Sequence, residues 1–170
     1  MPPVVAIIGK KNCGKTTLIE KLIPELVDLG YKVGTIKHHH GDIQMDTPGK
    51  DTWRHKQAGA HAVVLSSPSG LGLIRDTPWE IPVPELVDLY FADMDLVLTE
   101  GYKKEPIPKV EIFRNVVHSE PLPDVGEDLI AIMSDVETDR NIPHFGLDEC
   151  RALAEFLAEK IIMPARKENS

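Results

Sequence analysis

The sequence contains few cysteines and no long apolar run. Its 170 residues include only Cys13 and Cys150, too few for a disulfide framework or a cysteine-based metal cluster. No stretch approaches the roughly 18 consecutive apolar residues of a membrane span. The opening Met1-Pro2-Pro3 lacks the charged leader of a signal peptide. We therefore expect a cytoplasmic protein that does not bind membranes.

An excess of basic residues is also missing. The chain has 19 Lys and Arg against 27 Asp and Glu, a formal net charge of -8. This balance argues against nucleic-acid binding, which requires a basic face, but it allows a local basic patch around an anionic ligand. The composition, 42% hydrophobic and 27% charged, is that of a globular protein. We predict a single domain over residues 1–164, followed by a frayed tail over residues 165–170.

What the sequence does contain is a phosphate-binding loop. Gly9, Gly14, Lys15 and Thr16 fill the pattern G-x-x-x-x-G-K-[ST] without a gap. The glycines let successive backbone N–H groups point at a polyphosphate, Lys15 places a cation on the β- and γ-phosphates, and the Thr16 hydroxyl is a ligand for Mg²⁺. The residues predicted to bind the nucleotide here are Gly9, Asn12, Cys13, Gly14, Lys15, Thr16 and Thr17.

The context of this loop predicts the fold. Val4–Ile8 reads as a strand buried on both faces, and the apolar residues of 18–27 recur at helical spacing. A second strand over Lys32–Lys37 closes a strand–helix–strand unit. We predict an α/β protein with a mostly parallel sheet flanked by helices, like the P-loop NTPases. An additional antiparallel hairpin is expected between residues 62 and 75.

Three later segments complete the expected sheet and its cover. The strand over residues 95–99 ends in Glu100, a carboxylate at the edge where ligands bind, where it could hold Mg²⁺ or orient water. Lys109–Arg114 alternates charged and apolar residues, which predicts a strand with one solvated face. Leu129–Met133 should be a buried strand ending near Asp135, and Leu147–Met163 an amphipathic helix.

Two features of the sequence have more than one interpretation. The run His38–His40 is typical of a ligand-contacting loop, a solvated loop or, less directly, a metal site, because adjacent strand residues point to opposite faces. Near it, Lys37, Lys50 and Arg54 supply cations, and Asp42, Asp46 and Asp51 supply carboxylates. Cys13 is either a thiol with a lowered pKa among cationic groups or simply a small residue that fits the loop.

Several motifs occur together and in order along the chain. They are Gly9 to Thr17, Lys37 to His40, Asp46 to Asp51, Ala58-Gly59-Ala60, Glu100 to Lys103, Pro108 to Glu111, and Ser134-Asp135-Val136. In this respect the chain resembles the MobB family of molybdopterin-guanine dinucleotide biosynthesis adaptor proteins. The resemblance implies a homodimer that binds GTP or GDP, has weak GTPase activity, and assists the nucleotidyltransferase MobA in making molybdopterin guanine dinucleotide.

The resemblance also assigns roles to residues. Lys15 and Glu100 would take part in hydrolysis, Thr16 and Glu100 would hold Mg²⁺, and His38, Lys50 and Asp51 would face the ligand cleft. Molybdopterin itself is a further candidate ligand. The alternatives are a small-molecule kinase or ligase that uses ATP, and a metallochaperone GTPase that uses His38–His40.

The guanine preference has no motif of its own in this sequence. An N-K-x-D segment, which regulatory GTPases use for guanine, does not occur. Asp135 is a candidate for that role, because a carboxylate can accept hydrogen bonds from the guanine N1–H and amino group.

Overall fold

The predicted strand before the phosphate loop, Val4–Ile8 (β1), lies inside a six-stranded parallel sheet in the computed structural model. The structure describes residues 1–39, 41, 45–123 and 125–168. It divides into two units, Met1–His38 with Leu86–Ser170, and His39–Glu85. The predicted domain over residues 1–164 and the predicted frayed tail stay predictions.

The first unit contains the six-stranded sheet and most of the helices. The strand order is β2-β5-β1-β6-β7-β8, with every neighbouring pair parallel. The strands after β1 are Val33–Lys37 (β2), Leu96–Glu100 (β5), Lys109–Phe113 (β6), Leu129–Ser134 (β7) and His144–Gly146 (β8). The helices are Lys15–Asp28 (α1), Cys150–Leu157 (α4) and Met163–Glu168 (α5), with Val83–Tyr90 (α3) crossing into this unit at Leu86. The predicted parallel α/β fold is confirmed.

One face of the sheet forms the main apolar core. Val5 and Ile7 of β1 point to this face, because side chains alternate along a strand. They pack with apolar residues of the neighbouring strands and with α1 and α4, which also contact each other. The helix α1 supplies Leu18, Ile19, Leu22 and Leu26, all buried, at the spacing that the sequence predicted. This packing fixes α1 directly behind the phosphate loop.

The opposite face of the sheet contains buried charges, which the sequence did not predict. All five residues of β6 are buried, so the predicted solvated face of Lys109–Arg114 is wrong. The strand lies between β1 and β7, and segments around Leu122 and Val125 cover this face. Lys109 donates to the carbonyls of Glu105 and Ile107 and to Asp128 Oδ2, at 2.7, 3.1 and 2.9 Å.

The second buried charge of β6 is Glu111, and it has partners as well. One carboxylate oxygen accepts from the Leu122 N–H at 2.6 Å, and the other from Arg140 Nη1 at 2.8 Å. Burial raises the pKa of Glu111 above its ordinary value, although these two donors oppose the shift. A charged residue on a strand therefore does not mark a solvated face when its partners come from distant segments.

The C-terminal end of the chain differs from the single predicted helix over Leu147–Met163. The strand β8 precedes it, and α4 begins only at Cys150. A π-helical segment over Ala158–Ile162 then joins α4 to α5. Leu147 lies before the helix but still packs against the core, as does the buried Cys150.

The second unit holds a short helix and the predicted hairpin. Its elements are Asp51–Gln57 (α2), Ala62–Ser67 (β3) and Gly70–Arg75 (β4). The strands β3 and β4 pair antiparallel, from Ala62 with Arg75 to Ser67 with Gly70, which confirms the hairpin. Lys56 binds Asp76 at 2.7 Å and joins α2 to the end of β4. Throughout the described parts of both units, every helix is too short or too polar to cross a membrane.

Candidate functional site

The phosphate loop, residues 9–16, connects β1 to α1 and folds back tightly. Gly9, Asn12 and Gly14 have positive φ angles of 153°, 63° and 102°. A Cβ atom at Gly9 would lie 2.5 Å from the Ile112 carbonyl oxygen and 2.6 Å from Cys13 Sγ, so no side chain fits there. The glycines that the sequence pattern requires are thus needed by the geometry.

The lysine of the loop lies over the loop itself. Lys15 Nζ donates to the carbonyl oxygens of Gly9 and Lys10 at 3.1 and 2.9 Å. The ammonium is thereby held at the mouth of the loop, at the N-terminus of α1, where the positive end of the helix dipole also favours an anion. Thr17 is exposed in the first turn of the same helix.

The second part of the site is the contact between Thr16 and Glu100. Thr16 Oγ1 donates to the two carboxylate oxygens of Glu100, at 3.1 and 3.0 Å. The contact follows from the topology, because β1 and β5 are neighbours and Ile7 pairs with Glu100. Lys37, at the end of β2, places its Nζ 3.5 Å from Glu100 Oε2. The ends of β2 and β5 and the first turn of α1 therefore meet at one carboxylate.

This pair of residues fits a magnesium ion. A hydroxyl and a carboxylate are hard oxygen donors of the kind that Mg²⁺ prefers, and here they are already within hydrogen-bonding distance of each other. The Glu100 side chain is 16% exposed, so it is held in place yet reachable from the ligand edge of the sheet.

Cys13 is buried, and its thiol is not activated. Burial raises its pKa above the ordinary value, although Lys15 and the backbone N–H groups of the loop oppose the shift. The interpretation of Cys13 as a thiolate of lowered pKa is therefore wrong. The side chain instead fills the space behind Gly9, which favours the interpretation as a small residue that fits the loop.

His38 lies close to the same edge. Its ring stacks on Tyr102 with centroids 4.6 Å apart and an angle of 26° between the planes. Tyr102 has a φ of 55°, which is unusual for a residue other than glycine, and it follows Gly101 with a φ of 107°. The His38 N–H also donates to the Glu100 carbonyl at 3.1 Å. The histidine is thus joined to the segment that presents Glu100.

The other side of the loop, toward β6 and β7, holds two residues that sequence reasoning missed, Arg114 and His118. His118 Nε2 lies 2.7 Å from the Lys11 carbonyl oxygen of the phosphate loop. Asp135, which follows β7, accepts from the Asn115 N–H through Oδ1 at 2.6 Å. The available signal was position: Arg114 directly follows a strand, at the edge where ligands bind in parallel sheets.

Lys50 and Asp51 belong to the second unit, at the start of α2. Their expected contact with the nucleotide stays a prediction. His40 and Asp42 lie outside the described residues. In the part of the chain that the structure does describe, no group of three His, Cys, Asp or Glu side chains could hold a metal ion. The metallochaperone alternative therefore rests on the sequence alone.

A parallel sheet, a glycine-lined loop at the end of its central strand and a helix behind that loop define the class of protein. The chain is an α/β protein of the P-loop NTPase type. The family model MobB, described as molybdopterin guanine dinucleotide synthesis protein B, matches residues 4–135. The chain belongs to the MobB family, and the resemblance drawn from its motifs is confirmed.

Relatives match over nearly the whole chain. The molybdopterin-guanine dinucleotide biosynthesis adapter protein of Haemophilus influenzae is 37% identical over 158 residues, covering 91% of this chain and 87% of the relative. The protein of that name in Escherichia coli is 35% identical over 167 residues, covering 94% and 93%. The crystal structure of Bacillus subtilis MobB has a TM-score of 0.74 at 29% identity, covering 94% of this chain and 98% of that one.

Proposed function

We propose that this protein is a GTP-binding adapter that assists the nucleotidyltransferase MobA in converting molybdopterin to molybdopterin guanine dinucleotide. The observation that carries the proposal is the contact of Thr16 with Glu100 beside the glycine-lined loop. The loop would bind phosphate and the contact would bind a divalent cation, and both lie at one end of β1. The names of the relatives, which are adapter proteins of this biosynthesis, supply the biological setting.

In this proposal the loop binds the triphosphate. Backbone N–H groups of residues 9–16 and the N-terminus of α1 contact the phosphate oxygens. Lys15, now donating to two carbonyls of its own loop, would turn its ammonium to the β- and γ-phosphates. Thr16 and Glu100 would hold Mg²⁺, which neutralises charge between those two phosphates when bound.

The proposed specificity for guanine rests on Asp135. Its Oδ1 accepts from the Asn115 N–H, which orients the carboxylate and leaves acceptor capacity on Oδ2. Val116, Val117 and Val136 are exposed apolar side chains next to this pair and would contact the base. A carboxylate in this position complements the two donors on the Watson–Crick edge of guanine and not the edge of adenine.

Weak hydrolysis suits an adapter better than rapid turnover. Glu100 is paired with both Thr16 and Lys37, so it is placed to hold a cation rather than to take a proton from water. We infer that nucleotide binding, more than turnover, controls the interaction with the partner enzyme.

The proposed homodimer rests mainly on the resemblance to the family. Val64, Leu65 and Leu71 of the β3–β4 hairpin are 52%, 65% and 71% exposed, which is a feature of association surfaces. Light scattering at micromolar concentration tests the dimer, and a monomer would remove this part of the proposal.

The experiment that tests the function is equilibrium binding of GTP, GDP and ATP to the purified protein, with and without Mg²⁺. A guanine preference with slow turnover supports the proposal. Stimulation of guanine dinucleotide synthesis by purified MobA should then depend on the protein and on bound GTP. Equal or better binding of ATP would remove the guanine part and favour a kinase or ligase that acts on a small molecule.

A further inference from the structure

We propose that Arg114 is a nucleotide-binding residue that contacts the α-phosphate from the β6 side of the phosphate loop. This inference rests on the proposed function, because it assumes that the loop binds a nucleotide. It adds a cation that is no part of the phosphate-loop pattern and that faces the loop from the opposite side to Glu100.

The first observation is that one donor of the Arg114 guanidinium, Nε, is buried and has no hydrogen-bond partner among the described residues. The residue as a whole is half-buried. Among the residues that the structure describes, no carboxylate forms an ion pair with it, whereas Arg140 and Arg166 have Glu111 and Asp95. A buried donor without an acceptor costs free energy, and such groups need an explanation. A phosphate oxygen is the acceptor that a guanidinium binds best.

The second observation is the position of the side chain. Its Cδ lies 4.0 Å from the point where a Cβ of Gly14 would be, so the stem passes directly beside the phosphate loop. Gly14 is the residue before Lys15 and precedes the first turn of α1. A Cβ at Gly14 would meet Arg114 Cδ at an ordinary van der Waals distance, so the arginine stem lies alongside the residue that precedes Lys15.

The backbone of Arg114 is fixed from several directions. Its carbonyl accepts from the N–H groups of Val117 and His118, both at 3.0 Å. The His118 ring is bonded to the Lys11 carbonyl, and the Asn115 N–H to Asp135. The segment 114–118 is thus tied to the phosphate loop on one side and to the residue after β7 on the other. A binding side chain on such a segment loses little entropy when a ligand arrives.

The strand order identifies the part of the nucleotide that Arg114 would contact. The four inner strands of the sheet lie in the order β5, β1, β6, β7. The proposed metal ligand Glu100 is the last residue of β5, and Mg²⁺ held there would neutralise charge on the β- and γ-phosphates. The proposed base contact, Asp135, follows β7. The residue after β6 lies between them, which corresponds to the α-phosphate in a nucleotide extended along this edge.

The test compares two substitutions with a control that removes the same charge. R114Q removes the positive charge. R114K keeps the charge but replaces the planar guanidinium, which can donate two parallel hydrogen bonds to a phosphate. R151Q removes an arginine of α4 that is 48% exposed and paired with Glu155. Calorimetric titration gives the Kd for GTP and for GDP with Mg²⁺, and thermal unfolding without nucleotide reports on the fold.

We expect R114Q to weaken GTP and GDP equally, by roughly 10- to 100-fold, because both nucleotides carry the α-phosphate. R114K should lie between R114Q and the wild type, and R151Q should bind like the wild type. The Tm of R114Q without nucleotide should not fall, since the substitution removes no ion pair that Arg114 makes within the described part of the chain.

Three results would overturn the inference. Loss of GTP affinity alone would place the side chain at the γ-phosphate. Unchanged affinities in R114Q, with normal binding by the wild type, would remove Arg114 from the site and leave the proposed function intact. A wild-type protein that binds no nucleotide would end the proposed function, and this inference with it.

Discussion

The hydroxyl of Thr16 lies within hydrogen-bonding distance of both carboxylate oxygens of Glu100, a residue 84 positions later in the chain. The two residues meet because β5, which ends in Glu100, is the neighbour of β1, and the loop after β1 leads directly into the first turn of α1, where Thr16 lies. Two hard oxygen donors at one point form the core of the proposed magnesium site. The first prediction concerns this pair.

E100Q should bind GTP and lose hydrolysis. The amide keeps the shape of the side chain but removes the negative charge that faces the cation, so we expect a Mg²⁺-dependent rate roughly 10- to 100-fold lower. Single-turnover measurements separate this rate from binding. E20Q, which changes an exposed glutamate of α1, is the control. An unchanged rate in E100Q would remove Glu100 from the site.

K15A should abolish measurable GTP binding. The substitution removes the cation proposed for the β- and γ-phosphates, and loss of such a charge-assisted contact weakens binding by roughly 100-fold or more. The matched control is K21A, since Lys21 lies on the same helix and is paired only loosely with Asp148, at 3.5 Å. Titration calorimetry measures both variants. Retained affinity in K15A would refute the assignment of the loop.

D135N should change the preferred base from guanine to xanthine. An asparagine can still accept from the Asn115 N–H and from the purine N1–H, but its amide donates toward position 2, where xanthine has a carbonyl and guanine an amino group. We expect weaker GTP binding and stronger XTP binding, measured by competition. D139N, at an exposed aspartate of the same segment, is the control.

Two outcomes would contradict the role of Asp135. D135N could lose GTP and XTP affinity alike, which would indicate only that the segment has lost its anchor to Asn115. D135A could lose GTP and ATP affinity equally, which would show that Asp135 does not distinguish the bases. Either result would leave the guanine preference, if binding confirms it, without a residue in this structure.

The parts of the site that could be predicted from the sequence are those that local spacing determines. The loop from Gly9 to Thr16 lies between a strand and a helix, and its glycine conformations follow from a pattern eight residues long. Glu100 was found because it ends a strand. Arg114 and His118 were missed because they lie beside the phosphate loop only as a result of β6 being the neighbour of β1. The order of strands in a sheet is not visible in a local sequence pattern.

The fold was predicted less well where distant residues neutralise a charge. The alternation in β6 predicted a solvated face, but Lys109 and Glu111 find their partners at Asp128 and Arg140. Periodicity reports the polarity of a side chain and not whether a partner will cover it. The strand β8 was missed for another reason, since its three residues are too few to show any period.

K109M tests the stability that this buried charge contributes. The substitution keeps the volume of the side chain but leaves the carbonyls of Glu105 and Ile107 without their donor, so we expect a loss of about 2–4 kcal/mol in the free energy of unfolding. Urea denaturation measures it, with K103M at an exposed lysine as the control. Equal or greater stability in K109M would show that the cost of burying the ammonium exceeds its hydrogen bonds.

D95N should destabilise the protein at neutral pH and not in acid. Partial burial alone would raise the pKa of Asp95, but the Lys32 N–H at 2.8 Å and the Arg166 guanidinium at 2.6 Å together lower it below its ordinary value of 3.8. The folded state therefore holds the proton less tightly than the unfolded state. The stabilisation is complete above the ordinary pKa and is lost as the pH falls through the lowered value.

Thermal unfolding of the wild type and D95N between pH 7 and strongly acidic pH should give Tm values that converge in acid. D93N, at a carboxylate that is 72% exposed and 4.0 Å from Lys32, should follow the wild type throughout. A Tm difference between D95N and the wild type that stays constant with pH would mean that Asp95 acts through its packing and hydrogen-bond geometry rather than through its charge.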